Sequence, residues 1–163
     1  MRAWVFGDNV DTDLIAPGRY MKYGIDTIAQ HCMEAVEPTF ASAVRKGDVV
    51  IAGRNFGTGS SREQAPEALK HLGVAALVAP SFAGLFYRNA INLGLPAMVC
   101  AHAKRIHAGD DIELDFEAGR LHNRSSGDTL ACEPIPAFLM NIVRDGGLLP
   151  HLEKRLREAG ARQ

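Results

Sequence analysis

Val49-Val50-Ile51-Ala52-Gly53-Arg54-Asn55-Phe56-Gly57-Thr58-Gly59-Ser60-Ser61-Arg62-Glu63 is the stretch from which the rest of the chain can be read. Its apolar run, 49–52, predicts a short buried strand. A glycine-rich turn follows, and then a helix from Arg62 to Leu72, with Glu63 in its first turn and Gly73 as its stop. Val74–Ala79 is a second buried strand. Pro80-Ser81 opens another helix through Asn92, Gly94 closes it, and Ala97–Cys100 is a further strand. Strand, helix, strand, helix, strand over 49–100 predicts parallel pairing through crossover helices.

Outward toward the N-terminus, Ala3–Gly7 reads as the first strand, and Asp8–Asp13 is acidic and turn-forming. Ala16-Pro17-Gly18 breaks the chain again, and 19–24 is a polar-aromatic loop. Short helices are expected over Asp26–Cys32 and Pro38–Val44, before Lys46-Gly47-Asp48 turns into the strand at 49–52. Outward toward the C-terminus the character changes. Ile112–Phe116 alternates at period two, Glu117-Ala118-Gly119 turns, and Arg120–Asn123 returns as the second strand of a hairpin. Thr129–Cys132 is expected to pair again, and Pro136–Asp145 is a helix ended by Gly146-Gly147. Charged residues dominate 153–163, so a C-terminal helix is expected to fray there. The fold class expected is α/β, a mixed sheet with crossover helices and a β-rich flank, in one domain over residues 1–163.

Composition excludes several functions. Apolar residues make up 47% and charged residues 23%, as in an ordinary globular chain. Lys and Arg total 18 against 19 Asp and Glu, so the basic excess of a nucleic-acid binder is missing. No apolar run approaches the roughly 20 residues a membrane span requires. Met1–Asp8 lacks a signal-peptide core and enters a strand directly, which predicts a cytoplasmic location. Cys32, Cys100 and Cys132 are widely spaced, contain no Cys-x-x-Cys pair, and read as buried structural thiols. This chain is therefore expected to bind no metal or cofactor of its own, and any iron–sulfur cluster has to come from elsewhere.

The loop carries the chemistry. Backbone N–H groups at a helix start lack partners and face the positive end of the helix dipole, so they attract anions. Arg62 adds a planar fork suited to a carboxylate, and Ser60 and Ser61 place hydroxyls in the same electropositive spot. Other loop chemistries fail on spacing. A phosphate-binding P-loop needs a lysine before its hydroxyl residue, and here glycine precedes Ser60. Arg62 stands where a dinucleotide fingerprint or a hydrolase elbow needs glycine. The plainer reading is a serine cap on an ordinary helix.

Two segments weigh against that plainer reading. Asp11-Thr12-Asp13-Leu14-Ile15 and Gly53–Glu63, with Ser81–Gly94 in support, closely resemble the small subunits of isopropylmalate isomerases. Those chains are equivalent to the mobile swivelling C-terminal domain of aconitase. The resemblance implies a swivelling β/β/α domain that closes over a separate large subunit carrying a [4Fe–4S] cluster on three cysteines, with one iron open to substrate. It implies a hydro-lyase that moves a hydroxyl between adjacent carbons of a 2-hydroxy di- or tricarboxylic acid. The first choice is interconversion of 2-isopropylmalate and 3-isopropylmalate in leucine biosynthesis. The alternatives are a homoaconitase or related substituted-malate or citrate hydro-lyase, and a non-catalytic carboxylate-binding regulatory module.

Roles follow residue by residue from the resemblance. Ser60 is the base that removes the proton beside a carboxylate, its alkoxide stabilised by helix N–H groups and Arg62. The cluster iron acts as Lewis acid on the leaving hydroxyl. Ser61 and Arg62 hold a substrate carboxylate. Thr12 and Asp13 match an active-site pair that orients substrate or Arg62; Asp13 is equally readable as an Asx-turn or helix cap. Lys22 lies in the loop where relatives select substrate, and is placed to pair with a third carboxylate or to lie along an apolar wall. Lys22, Gln64 and Ala16 all depart from residues usual in the family. His71, near a helix C-terminus, is expected to do no more than favour the dipole.

Overall fold

Parallel strands buried on both faces need a layer on each side, and this chain supplies a different layer to each. In the computed structural model, which describes residues 1–162, β1 (Ala3–Val5), β2 (Val49–Ile51), β3 (Ala76–Ala79) and β4 (Ala97–Val99) pair in parallel in that order. Position 163, the end of the charged tail, lies outside the described residues. Ala3, Val49 and Ala76 share one register level, and Val5, Ile51 and Val78 another. Alternation then divides the side chains. Val50, Leu77, Ala79 and Ala97 join one core; Ala3, Val49, Ile51, Ala76, Val78 and Met98 join the other.

The first core is closed by the connecting helices α1 (Thr12–Ile15), α2 (Ile25–Gln30), α3 (Phe40–Ala43), α4 (Gln64–His71) and α5 (Gly84–Asn92). The second is closed by an antiparallel sheet of β5 (Ile112–Asp115), β6 (Arg120–Asn123) and β7 (Thr129–Ala131), through Ile112, Leu121 and Leu130, with Met140 from α6 (Ala137–Arg144). Each fully buried Val, Leu or Ile contributes about 1.5–3 kcal/mol. The layering is the β/β/α arrangement expected, but parallel and antiparallel pairing are divided between two sheets rather than mixed in one, because the crossover helices cover one face of the parallel strands and the hairpin strands cover the other. Backbone bonds stitch the sheets together: Ala3 N donates to Asp110 O (2.9 Å), Ile112 N to Met1 O (2.7 Å) and Glu133 N to Val99 O (2.8 Å).

Asp48, buried just ahead of β2, is a hub on the amino-end side of the parallel sheet. Its Oδ2 accepts from Arg2 Nη2 (2.7 Å), the Trp4 indole (3.0 Å) and Arg45 N (2.9 Å). Burial alone would raise its pKa, but these donors outweigh it and hold the carboxyl below its ordinary value.

Helix α1 is additional to the expected elements, and several boundaries differ from the sequence reading; three of them bear on the site and the tail. Helix α4 begins at Gln64 rather than Arg62; Ser60 lies in a bend and 61–62 are irregular, with Ser60 bonded to Thr12, the Ser61 carbonyl to Asn89 and Arg62 to Asp13. Helix α5 begins at Gly84 rather than Pro80-Ser81. The residues before it are pinned beside the glycine loop: Asn55 N donates to Ser81 Oγ (2.9 Å), Phe56 N to Ser81 O (3.2 Å) and Ala83 N to Phe56 O (3.0 Å). At the C-terminus α7 (Leu148–Gly160) is continuous rather than frayed from 153, although it buries no residue. Its first turns are tied to Asp145, which receives His151 Nδ1 (2.7 Å) and Lys154 Nζ (3.1 Å).

Candidate active site

Parallel pairing puts the carboxyl ends of β1 and β2 side by side, and both glycine-loop and Asp-Thr-Asp segments leave from there. The two segments run together beyond the sheet: Gly57 N donates to Val10 O and Thr12 N to Thr58 O, both at 2.8 Å. Two glycines make the approach possible. Gly57 has φ +80°, and a Cβ there would lie 2.1 Å from the Phe86 ring; Gly59 has φ +102° and lies against the Thr12 hydroxyl. The chain after Gly59 is thereby delivered onto the start of α1.

Ser60 and Thr12 meet at this point, Oγ to Oγ1, at 3.1 Å. Thr12 is buried and held by α1; Ser60 is exposed. Arg62 Nη1 donates to Asp13 Oδ1 (3.2 Å) and Ala16 O (3.3 Å). Among the described residues nothing accepts from its Nη2 or Nε, so part of the fork is available to a carboxylate. Asp13 Oδ1 also accepts from Gly18 N at 2.8 Å. The Gly18 amide first, and Arg62 second, hold the Asp13 carboxyl below its ordinary value. Asp13 is therefore neither an Asx-turn nor the helix cap: its oxygen accepts from a residue five positions on while Asp11 caps α1, and the same oxygen contacts Arg62.

The helix-mouth expectation is corrected in its details. Ser60 and Ser61 lie in the approach to α4, not in its first turn. The backbone N–H groups of Ser60 through Gln64 nevertheless make no backbone hydrogen bond among the described residues, so the donors extend back along that approach. Ser61 is exposed, and its carbonyl is held by Asn89 Nδ2 from α5 (3.2 Å). Lys22 makes none of these contacts. Its exposed ammonium lies 5.2 Å from the Tyr23 ring centroid, and no carboxylate pairs with it among the described residues.

Two contributors went unassigned from the sequence. Asp11 caps α1 by accepting from Leu14 N (2.8 Å), which the Asp-x-x-Leu spacing signalled. Asn89 lies in the resembling segment 81–94, without a role assigned to it there. His71, read as a dipole partner only, also pairs with Asp26 at 2.8 Å. No three His, Cys, Asp or Glu side chains converge as a metal-binding group among the described residues. Cys32 is buried in the helix-side core, and burial pushes its thiol pKa up. On the side of the antiparallel sheet, Cys100 Sγ donates to Ala131 O (3.9 Å) and Cys132 Sγ, half-buried rather than buried, to Leu130 O (3.7 Å).

Residues 8–102, which contain both loop segments and α4 and α5, match the model of the Aconitase C-terminal domain. The chain belongs to the aconitase C-terminal domain family. It is 50% identical over 158 residues to the methanogen homoaconitase small subunit of Methanothermobacter thermautotrophicus, covering 95% of this chain and 91% of that one. It is 44% identical over 160 residues to the isopropylmalate/citramalate isomerase small subunit of Methanocaldococcus jannaschii, covering 97% and 95%. The crystal structure of 3-isopropylmalate dehydratase from Methanocaldococcus jannaschii superposes with a TM-score of 0.93 at 40% identity, covering 99% of this chain and 97% of the other. In this aconitase-family chain, the resembling segments 11–15 and 53–63 are the ones that the fold brings into contact.

Proposed function

We propose that this chain is the small subunit of a 3-isopropylmalate dehydratase. It is a hydro-lyase active only with a large subunit, interconverting 2-isopropylmalate and 3-isopropylmalate in the leucine pathway. The convergence of Ser60, Thr12, Asp13 and Arg62 carries this reading. Arg62, with Ser61 and the free N–H groups of 60–64, holds a substrate carboxylate. The Ser60 alkoxide removes the proton beside that carboxylate, and the Thr12 hydroxyl, 3.1 Å away, hydrogen-bonds and stabilises the alkoxide. The pair of electrons left on carbon forms the double bond as hydroxide departs from the neighbouring carbon; water then adds in the opposite sense.

The proposal includes one swivel-type domain over residues 1–163, a cytoplasmic location, and a large subunit bearing a [4Fe–4S] cluster. The thiols of this chain do not fit that cluster, since Cys32 sits in the helix-side core and Cys100 and Cys132 are held between the sheets. No described helix is long and apolar enough to cross a membrane.

A second reading, a homoaconitase small subunit, is favoured by one observation. Lys22 is an exposed, uncommitted cation in the loop that leaves the Asp13–Arg62 pair, and a third carboxylate would suit it. Reconstitution with the large subunit tests both readings. The pair is offered 3-isopropylmalate and a homocitrate-type tricarboxylate, as wild type and as Lys22→Val. Turnover of isopropylmalate is expected, and Lys22→Val should shift the ratio of specificity constants toward the branched dicarboxylate by about fivefold. Preferred turnover of the tricarboxylate selects the second reading. No turnover of either acid in an assembled complex would leave a non-catalytic carboxylate-binding module.

A further inference from the structure

The segment after α1 is an isolated 3-10 turn, Gly18–Tyr20, behind Pro17, and such a turn has little stability of its own. Its first residue nonetheless lies against the site. Gly18 N donates to Asp13 Oδ1, and a Cβ at Gly18 would lie 3.0 Å from that oxygen and 3.4 Å from Arg62 Nη2. Something outside the turn has to hold it in place.

The contacts that do so come from the far side. The Tyr20 ring lies flat on the His31 imidazole, with centroids 3.7 Å apart and planes 9° apart. His31 Nδ1 contacts Glu34 Oε2 at 2.6 Å, while Arg19 donates to Oε1 of the same carboxylate. Arg19 also lies 4.9 Å from the Tyr20 ring centroid, so Arg19, Tyr20, His31 and Glu34 form a closed ring of contacts. The backbone behind Glu34 is shaped for this. Met33 is fully buried in a left-handed conformation (φ +61°) that a bulky side chain rarely adopts, and its N–H donates to Leu14 O of α1. The strain at Met33 turns the chain so that Glu34 can reach His31 and Arg19 together.

We propose that Tyr20, His31, Glu34 and Arg19 are positioning residues for Arg62. By fixing the Gly18–Tyr20 turn they keep the Gly18 N–H on Asp13 and Asp13 on Arg62 Nη1, so that the remaining guanidinium nitrogens face the substrate carboxylate. This rests on the reading of Arg62 as the carboxylate-binding residue. Among the described residues none of the four hydrogen-bonds to Ser60, Thr12 or Arg62, so they act through Gly18 and Asp13.

The test uses the full chain for amide exchange and its complex with the large subunit for kinetics. His31→Ala and Glu34→Ala should each speed exchange of the Gly18 amide about tenfold. In the complex they should raise KM for 3-isopropylmalate about fivefold with kcat within twofold, because a ground-state carboxylate contact is loosened. His31→Phe keeps the flat stack on Tyr20 and should recover most of the lost affinity. His122→Ala, on the antiparallel sheet, should change nothing. If Glu34→Ala does not fold, Glu34→Gln keeps its shape and removes its charge. Gly18 exchange at the wild-type rate in folded His31 and Glu34 variants overturns the clamp, whatever the kinetics. A fall in kcat equal to the rise in KM overturns it too, since that marks general loss of structure. A complex inactive on every acid rejects the proposed function instead, and Gly18 exchange then decides the clamp alone.

Discussion

The two ends of the parallel sheet look alike in charge and differ in what their donors are doing. At the amino ends of the strands lies a cavity of about 560 Å³ lined by Lys46, Lys70, His71, Gly73 and Gly94. It carries two lysines and a histidine, yet two of these are committed: Lys70 donates to the carbonyls of Leu93 and Gly146, and His71 pairs with Asp26. Those carbonyls lie at and beyond helix C-termini, where a cation is stabilising and an anion is not. At the carboxyl ends, among the described residues, Arg62 keeps free nitrogens, Ser60–Gln64 keep free N–H groups, and Thr12 alone hydrogen-bonds the Ser60 hydroxyl. Uncommitted donors, rather than cavity volume, set the proposed site apart.

The largest effect expected from this contrast comes from exchanging one cation at each end. Arg62→Lys keeps the charge and removes the planar fork, so kcat/KM in the complex should fall about a hundredfold. Lys70→Met should leave kcat/KM unchanged and lower only Tm. Steady-state kinetics and thermal melting check both; a comparable kinetic loss from Lys70→Met would erase the distinction between the ends.

A smaller effect concerns stability at the amino ends. Asp48→Asn leaves Arg2 without its carboxylate and should destabilise the chain by about 2 kcal/mol in urea unfolding. The pH dependence has a fixed sign, because the folded pKa of Asp48 lies below its ordinary 3.8. The contribution is present above 3.8 and is lost as pH falls through the folded value. The difference between wild type and Asp48→Asn should therefore shrink on acidification below 3.8, and a constant difference down to pH 2 would contradict the hub.

Much of this was legible in the sequence, for reasons that differ by region. Val49–Ile51, Ala76–Ala79 and Ala97–Val99 are strands in an unbroken apolar context, so their periodicity and bounding glycines sufficed. The hairpin at 112–123 showed itself by strict alternation. Helix starts were less legible. A reader of propensity begins a helix at Arg62 or Pro80, whereas Ser60 and Arg62 are bonded to Thr12 and Asp13, and Ser81 and Ala83 to Phe56, ahead of the helices. The site motif named Ser60, Ser61, Arg62, Thr12 and Asp13, and the fold brings Ser60 onto Thr12 and Arg62 onto Asp13. No local pattern announces that Asp13 shares its oxygen with Gly18, or that His31 and Glu34 reach back across α1 to brace Tyr20. Such relations exist only after the chain has turned at Met33, a residue whose type argues against that turn.

The sharpest test is proton abstraction by Ser60. The complex of Ser60→Ala with the large subunit is assembled and given 3-isopropylmalate in deuterated water, and both turnover and deuterium entering the substrate carbon are followed. The account predicts intact assembly, with turnover and deuterium incorporation each reduced at least about a thousandfold. Deuterium entering at the wild-type rate would contradict it and move the base to another residue.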